Sequence, residues 1–149
     1  MDLGYTTEQN MLEESISKFV YSEYDLDSRK QLANSGLGYS DEHWQTFASL
    51  GWLALPIEEA YGGIGGDLVD TMILFESLGK GLVVEPILST LVLFGGALSI
   101  AGTEDQKQAL LPGIADGSVK GALAYLEAEA PSDFNAVTTS AVREGDAYV

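Results

Sequence analysis

The chain has 149 residues, of which 46% are hydrophobic, and a formal net charge of −16. This length suits one ordinary domain, and the apolar content is too high for a disordered chain. Nucleic-acid binding is disfavoured, because phosphate neutralisation needs clustered cations and the seven Lys and Arg residues are scattered. Because the sequence has no cysteine, disulfides, thiolate metal sites and cysteine nucleophiles are excluded.

The N-terminal half predicts three helices before residue 51. Thr6 and Gln9 form a capping box, and Leu12, Ile16 and Phe19 recur behind it at helical spacing, which predicts an amphipathic helix over about residues 7–23. A short helix is expected near Ser28 to Ala33. Ser40 is expected to cap a third helix, and Gly51 to end it in the left-handed conformation. The apolar residues of this third helix are Trp44, Phe47 and Leu50.

A cluster of glycines follows at Gly62, Gly63, Gly65 and Gly66. Such a cluster marks a turn, and a phosphate-binding loop is the functional alternative. The dinucleotide pattern fails, because Leu68 stands where its third glycine belongs and no typical central strand precedes the cluster. No Gly-Lys-Ser/Thr follows for a Walker loop. A structural turn is therefore favoured over direct ligand contact.

The next segment predicts further helices. Asp67 or Gly66 should open a helix that Gly79 and Gly81 break, with one apolar side made of Leu68, Met72, Phe75 and Leu78. Pro86 should begin a strongly apolar helix that closes at Gly102. A capping box at Thr103 and Gln106 should lead a short helix to Leu111, before Pro112, and residues 113–118 should form a last turn.

No targeting or membrane segment is predicted. The first twenty residues are acidic and lack the cationic start of a signal peptide. The most apolar run, Pro86 to Ile100, is shorter than the roughly twenty residues that a membrane span requires. We therefore expect a cytoplasmic protein without a membrane span.

The pattern changes after about residue 119. Val119 to Leu126 and Ala136 to Val142 are typical of strands, and Glu144-Gly145-Asp146 predicts a turn into another strand at Ala147. A hairpin arm of three residues gains almost no ladder. We therefore expect either a cut chain or a longer gene product, with an α-helical domain over 1–119 and the beginning of a β domain over 120–149.

Three ordered blocks of sequence carry a family resemblance. They are Gly51-Trp52-Leu53 through Glu59-x-Tyr61-Gly62-Gly63-x-Gly65 and Glu76-x-Leu78-Gly79; Ala101-Gly102-Thr103-Glu104-x-Gln106-Lys107 with Leu111-Pro112 and Asp116-Gly117; and Ala124 to Asp133 with Arg143-Glu144-Gly145-Asp146. Together they resemble the N-terminal part of the acyl-CoA dehydrogenase family. The resemblance implies a mainly α fold, with a bundle-like helical domain followed by the first strands of a middle β domain.

The resemblance also implies FAD, an acyl-CoA substrate, an electron-transfer acceptor and a homo- or hetero-oligomer. The family's flavin-binding segment aligns with residues 126–133, so Leu126 and Ser132 stand at flavin positions, with backbone contacts at Leu123 and Tyr125. Leu126 replaces a hydrogen-bonding threonine, and Pro131 replaces a glycine and has no N–H. These departures argue against flavin binding by this chain alone. No catalytic base is assigned, since the family supplies it from a C-terminal domain.

The family's acyl pocket is partly lined by the apolar helix. The resemblance therefore implies that Ser89, Thr90, Leu93 and Gly96 lie nearest the acyl chain. The alternative is that these residues simply pack the core.

Other polar candidates are weaker. His43, on the polar side of its helix, lacks a serine or cysteine partner, which disfavours catalysis. The pairs Glu58–Glu59 and Glu127–Glu129 are expected at a solvated surface, and no convergent set of carboxylates indicates a metal site.

Three functions therefore compete. The first is part of an active acyl-CoA dehydrogenase that forms 2,3-enoyl-CoA, with this chain as one wall of the acyl and flavin site. The second is a non-catalytic or flavin-poor partner subunit of a heteromeric member, since residues 81–90 resemble the smaller subunits of such enzymes. The third is a helical interaction module without a redox role. Alone, the chain should self-associate through an apolar face.

Overall fold

The computed structural model describes residues 4–127, 133 and 135–149 and is mostly helical. The α-helices are Thr7–Glu23 (α1), Leu26–Ala33 (α2), Asp41–Ser49 (α3), Leu68–Lys80 (α4), Gly96–Ala101 (α5) and Glu104–Ala115 (α6). A 3-10 turn covers Glu59–Tyr61, a π-helix covers Leu88–Gly95, and two short strands are Arg143–Glu144 (β1) and Ala147–Tyr148 (β2). The Ser132 position, a predicted flavin contact, lies outside the described residues.

The caps set most helix starts. At α1 the predicted capping box is confirmed: Gln9 N donates to Thr6 Oγ1 and Thr6 N donates to the Gln9 side chain. Ser40 caps α3 as predicted, and Gly51 has a φ of 77°. The helix α2 begins at Leu26, slightly before the predicted Ser28, because Asp25 supplies its cap.

An aromatic core joins α1 to α3 and the loop after it. Phe19 packs edge-on against Phe47 and Trp52, with ring centroids 5.3 and 5.6 Å away. Trp44 is fully buried, and its Nε1 donates to the carbonyl of Gly117 at 2.8 Å. Of the three apolar residues noted on this helix, Trp44 and Phe47 are buried in the core, whereas Leu50 is 48% exposed.

The glycine cluster is a structural turn, as favoured from the sequence. Gly65 N donates to Ile57 O at 2.8 Å, and Gly66 N donates to Leu55 O at 2.7 Å. A Cβ on Gly63 would lie 1.8 Å from Ile57 O, so the backbones approach too closely for any side chain. These amides satisfy neighbouring carbonyls, which leaves them unable to cradle a phosphate.

The predicted apolar side of α4 is only partly correct: Leu78 is buried and Phe75 packs against the core, but the other two members are exposed. Leu68 is 74% exposed and Met72 is 61% exposed. The buried side consists of Ile73, Leu74, Ser77 and Leu78. Because α4 is apolar on more than one side, its periodicity could not tell which side meets α1.

The apolar helix forms, but with a different geometry. Its first part, Leu88–Gly95, is a π-helix, and Gly96 N donates to Leu91 O five residues earlier. The stretch continues as α5 to Ala101, so the predicted end at Gly102 is confirmed within one residue. The wider π turn was not predicted, because propensity scales do not distinguish it from an α-helix.

The helix α6 does not stop at Leu111, and the predicted stop before Pro112 is wrong. It continues through Pro112 to Ala115, and Asp116 N donates to Pro112 O at 3.0 Å. A proline removes one amide donor, and here the loss falls near the end of the helix, where few further bonds depend on it.

Among the described residues, the strand predicted at 119–126 does not form, and in 136–142 only Val142 is paired, through two backbone hydrogen bonds with Val149 beside the hairpin. The hairpin at the predicted turn is confirmed: Arg143 pairs with Tyr148 and Glu144 with Ala147. Strand-like composition needs a partner strand, and residues 119–127 lie instead against the π-helix. The division into two domains at residue 119 stays a prediction.

Candidate functional site

A cleft of about 730 Å³ lies between the π-helix and the chain that follows α6. Its lining consists of Leu93, residues 123–127, Val137 and Thr139. It is mainly apolar, as expected of a small-molecule site. The structure thus brings one predicted acyl contact, Leu93, together with the predicted flavin contacts Leu123, Tyr125 and Leu126.

Several contacts fix the chain that enters this cleft. The Trp44 indole holds Gly117, and Val119 N donates to Gly113 O at 2.8 Å. Lys120 Nζ lies 3.0 Å from Asp41 Oδ1. The path from α6 into residues 121–127 is therefore set by the helical core.

The next anchor joins the cleft segment to the π-helix. Thr90 is fully buried; its Oγ1 donates to Gly121 O at 3.2 Å and accepts from Gly121 N at 3.3 Å. Thr90 and Leu93 lie three residues apart on the π-helix, so the helix that lines one side of the cleft also holds the segment on the other side.

Glu127 closes the far end of the segment. Its Oε1 accepts from the Thr139 hydroxyl at 2.9 Å, and its Oε2 accepts from the Thr138 hydroxyl at 2.9 Å. These bonds hold the pKa of Glu127 below its ordinary value, and the bond from Thr139 has the largest effect. Glu127 therefore works as an ionised clamp between two pieces of chain; Glu129, its predicted pair partner, lies outside the described residues.

The four predicted acyl contacts do not share one cavity. Ser89 Oγ donates to Pro86 O at 3.0 Å, and the Thr90 hydroxyl is engaged by Gly121. Gly96 lines a second groove of about 320 Å³ together with Pro56, Ile57, Thr71, Leu91, Val92, Gly95, Ser99 and Ile100. Leu93 alone of the four lines the larger cleft, a division that helical periodicity could not predict.

His43 was predicted on the polar side of its helix, but its side chain is mostly buried against groups from other elements. Its Nδ1 lies 3.2 Å from the Tyr24 hydroxyl and 3.5 Å from Glu85 Oε1, and the side chain is 17% exposed. Ser40 N also donates to Glu85 Oε1 at 3.2 Å. The prediction failed because the neighbours come from α1 and from the loop after α4, which the sequence of α3 does not reveal.

Tyr24 and Glu85 were both missed. Burial and the hydrogen bond to Glu85 raise the pKa of the Tyr24 hydroxyl far above its usual range. Glu85 is a lone charge inside the apolar run 82–88, and that was the available signal, because a buried carboxylate requires donors. These two residues with His43 are termed the buried polar cluster below.

Glu58 and Glu59 are both exposed, as predicted. Near them, the Tyr61 hydroxyl donates to Glu104 Oε2 at 3.0 Å, which ties the 3-10 turn to the start of α6. In the part of the chain that the structure describes, no helix is long and apolar enough to cross a membrane.

The helical fold, the glycine turn and the cleft beside the π-helix define the class of protein. The sequence profile described as "Acyl-CoA dehydrogenase, N-terminal domain" matches residues 6–118. The chain therefore belongs to the acyl-CoA dehydrogenase family, and it carries the family's N-terminal helical domain.

Similar proteins agree with this assignment. The chain is 30% identical to acyl-CoA dehydrogenase FadE12 of Mycobacterium tuberculosis, over 95% of this chain and 36% of that protein. It is also 30% identical to a short-chain specific acyl-CoA dehydrogenase of Clostridium acetobutylicum, over 100% of this chain and 39% of that protein. The chain thus spans 36–39% of the length of these two relatives.

Two solved structures share the fold. The Tcur3481-Tcur3483 steroid ACAD G363A variant matches with a TM-score of 0.84 and 28% identity, over 95% of this chain and 38% of that chain. The ChsE4-ChsE5 complex from Mycobacterium tuberculosis matches with a TM-score of 0.82 and 30% identity, over 100% of this chain and 38% of that chain.

Proposed function

We propose that this chain is part of a flavin-dependent acyl-CoA dehydrogenase, which oxidises an acyl-CoA thioester to the 2,3-enoyl-CoA, and that it forms one wall of the acyl and flavin site. The observation that carries the proposal is the shared cleft. Leu93, from the predicted acyl-binding helix, faces the same space as residues 123–127, which include the predicted flavin contacts Leu123, Tyr125 and Leu126.

The residues present fit a flavin edge through their backbone. Leu123, Tyr125 and Leu126 are 42%, 47% and 58% exposed, respectively. Residues 121–127 join no strand ladder in the described structure, so a planar heterocycle can approach this stretch of backbone without breaking a sheet. The Leu126 side chain supplies packing but no hydrogen bond.

This geometry suggests a separate role for the flavin, for the apolar lining and for Glu127. When bound, the flavin would accept the hydride that leaves the acyl β-carbon. Leu93 and the apolar lining exclude water and orient the acyl chain, while Glu127 holds the segment against residues 138–139. We assign the base that removes the α-proton to no residue of this chain, and an electron-transfer acceptor would reoxidise the flavin.

A second candidate is a flavin-poor partner subunit in a heteromeric acyl-CoA dehydrogenase. It is favoured by Leu126, which offers an apolar side chain where the family pattern has a threonine. The solved structures named above support it further, since one is a complex of ChsE4 with ChsE5 and the other pairs Tcur3481 with Tcur3483 as a steroid ACAD. A sterol-like or fatty acyl-CoA is the substrate class that either candidate implies.

The visible absorption spectrum of the purified protein distinguishes the candidates. Bound flavin in the protein alone supports the first candidate and contradicts the second. Flavin that appears only after mixing with a partner subunit supports the second. Colourless material in every combination contradicts both, and a flat calorimetric response to acyl-CoA would then leave an interaction module.

A matched pair of variants localises the binding. Leu93→Lys places a charge in the cleft, and we expect it to weaken acyl-CoA or FAD binding at least tenfold. Leu88→Lys, on the same π-helix but outside the cleft, should bind normally because Leu88 is already 54% exposed. Equal losses in the two variants would contradict the assignment of the cleft.

A further inference from the structure

The hydroxyl of Thr90 is committed to the backbone of Gly121, and its single proton is not available to a ligand that enters the cleft. Its Oγ1 donates to the carbonyl of Gly121 and accepts from the amide of the same residue. The side chain is fully buried in the π-helix. One hydroxyl thus satisfies both backbone groups of a residue that joins no strand, an arrangement typical of an anchor.

A second contact fixes the same point. A Cβ on Gly121 would lie 2.1 Å from Cδ1 of Phe94, so the ring lies directly against the Gly121 backbone. Phe94 follows Thr90 by four residues, and both belong to the π-helix. The turn of this helix brings a hydrogen-bonding group and a flat apolar face onto one glycine.

From these contacts we propose that Thr90 is a positioning residue, which fixes residues 121–127 against the π-helix, and that it is not part of the acyl pocket. The expected effect of this positioning on flavin binding rests on the function proposed above. The segment begins to line the cleft at Leu123, two residues after Gly121, so the Thr90 anchor constrains its distance from Leu93.

The anchor itself is tested without any ligand. Thr90→Val keeps the shape of the side chain but leaves the Gly121 amide and carbonyl without their partner, whereas Thr90→Ser keeps the hydroxyl. Hydrogen–deuterium exchange of the peptide over 121–127 should be about tenfold faster in Thr90→Val. It should be close to wild type in Thr90→Ser.

A control separates anchoring from general loss of stability. Ile16→Val removes one methyl group from the core of α1, far along the chain from the cleft. It should lower the melting temperature without accelerating exchange over 121–127. If Ile16→Val accelerates that exchange as much as Thr90→Val does, or if Thr90→Val leaves it unchanged, the inference is overturned.

The dissociation constants for FAD and acyl-CoA show which ligand the Thr90 contact affects. We expect Thr90→Val to raise the Kd for FAD about five- to tenfold with little change in the Kd for acyl-CoA. A raised Kd for acyl-CoA with an unchanged Kd for FAD would overturn the inference and return Thr90 to the acyl pocket. If wild type binds neither ligand, the proposed function fails, and the exchange result alone supports or overturns the anchor.

Discussion

The hydroxyl of Tyr24 donates a hydrogen bond to Oε2 of Glu85, which joins the end of α1 to the loop before the π-helix. Both residues are buried, with exposures of 7% and 5%. Because a buried carboxylate is costly unless several donors solvate it, this bond and the one from Ser40 N to Glu85 Oε1 together hold three separate parts of the chain in contact.

Removal of the Tyr24 hydroxyl should therefore destabilise the fold. We expect Tyr24→Phe to lower the free energy of unfolding by about 1–3 kcal/mol, because Glu85 loses a donor in a buried place. Urea denaturation measures the change. Tyr21→Phe is the control, since Tyr21 is 92% exposed on the same helix and should change stability by less than about 0.5 kcal/mol. Equal effects of the two changes would contradict the account of the cluster.

Stability should also depend on alkaline pH through Tyr24. Burial raises the folded-state pKa of its hydroxyl above the unfolded value of about 10. Above that pH the unfolded chain releases the proton while the folded chain retains it, so stability is complete below pH 10 and falls above it.

The measurement is the urea midpoint of wild type and Tyr24→Phe between pH 8 and pH 11. The stability advantage of wild type should shrink above about pH 10, by up to about 1.4 kcal/mol per pH unit. A constant advantage across that range would show that the Tyr24 proton is not held by the fold.

Gly117 tests the junction between α6 and the cleft segment. Its φ is +81°, and an added Cβ would lie 3.0 Å from Ala48 Cβ and 3.2 Å from Trp44 Nε1. Gly62 has the same φ of +81° but nothing within 4 Å. Gly62→Ala should cost about 1–2 kcal/mol for the left-handed backbone alone, and Gly117→Ala roughly 2–4 kcal/mol, because crowding adds to it. Thermal unfolding that gives equal losses would argue against tight packing there.

Local signals predicted the helix starts well. Capping boxes at Thr6 and Thr103 and the Ser40 cap act within one turn, so the sequence contains all their partners. The side of α4 that is buried depends on the placement of α1, and two apolar stripes compete on one helix. The composition of 119–126 suggested a strand, yet a strand exists only where a partner supplies a ladder.

The candidate site was predicted less completely, for the same reason. The resemblance supplied Leu93, Leu123, Tyr125 and Leu126, which the cleft brings together. It gave no means of separating Thr90 from Leu93, since that depends on the position of Gly121. The buried polar cluster was missed because its members are far apart in sequence: Tyr24 lies 19 residues before His43, and Glu85 lies 42 residues after it.

The exposed side of α4 predicts association. Leu68 and Met72 are 74% and 61% exposed and lie one turn apart on that helix. At high concentration the 149-residue chain should form dimers or larger species, because association buries this apolar surface. Leu68→Glu combined with Met72→Glu should reduce that association in sedimentation equilibrium. Met11→Glu, at a 65% exposed position on α1, should leave it unchanged. A monomer at all concentrations would contradict the prediction.

Photo-crosslinking with a diazirine-bearing acyl-CoA, followed by mass spectrometry, tests most directly whether this chain forms a wall of an acyl-CoA site. We expect the label within residues 88–101 and 121–127, including Leu93, and we expect unlabelled acyl-CoA to suppress it. Label that concentrates on α1 or α2, or label that an excess of acyl-CoA does not displace, would contradict the account.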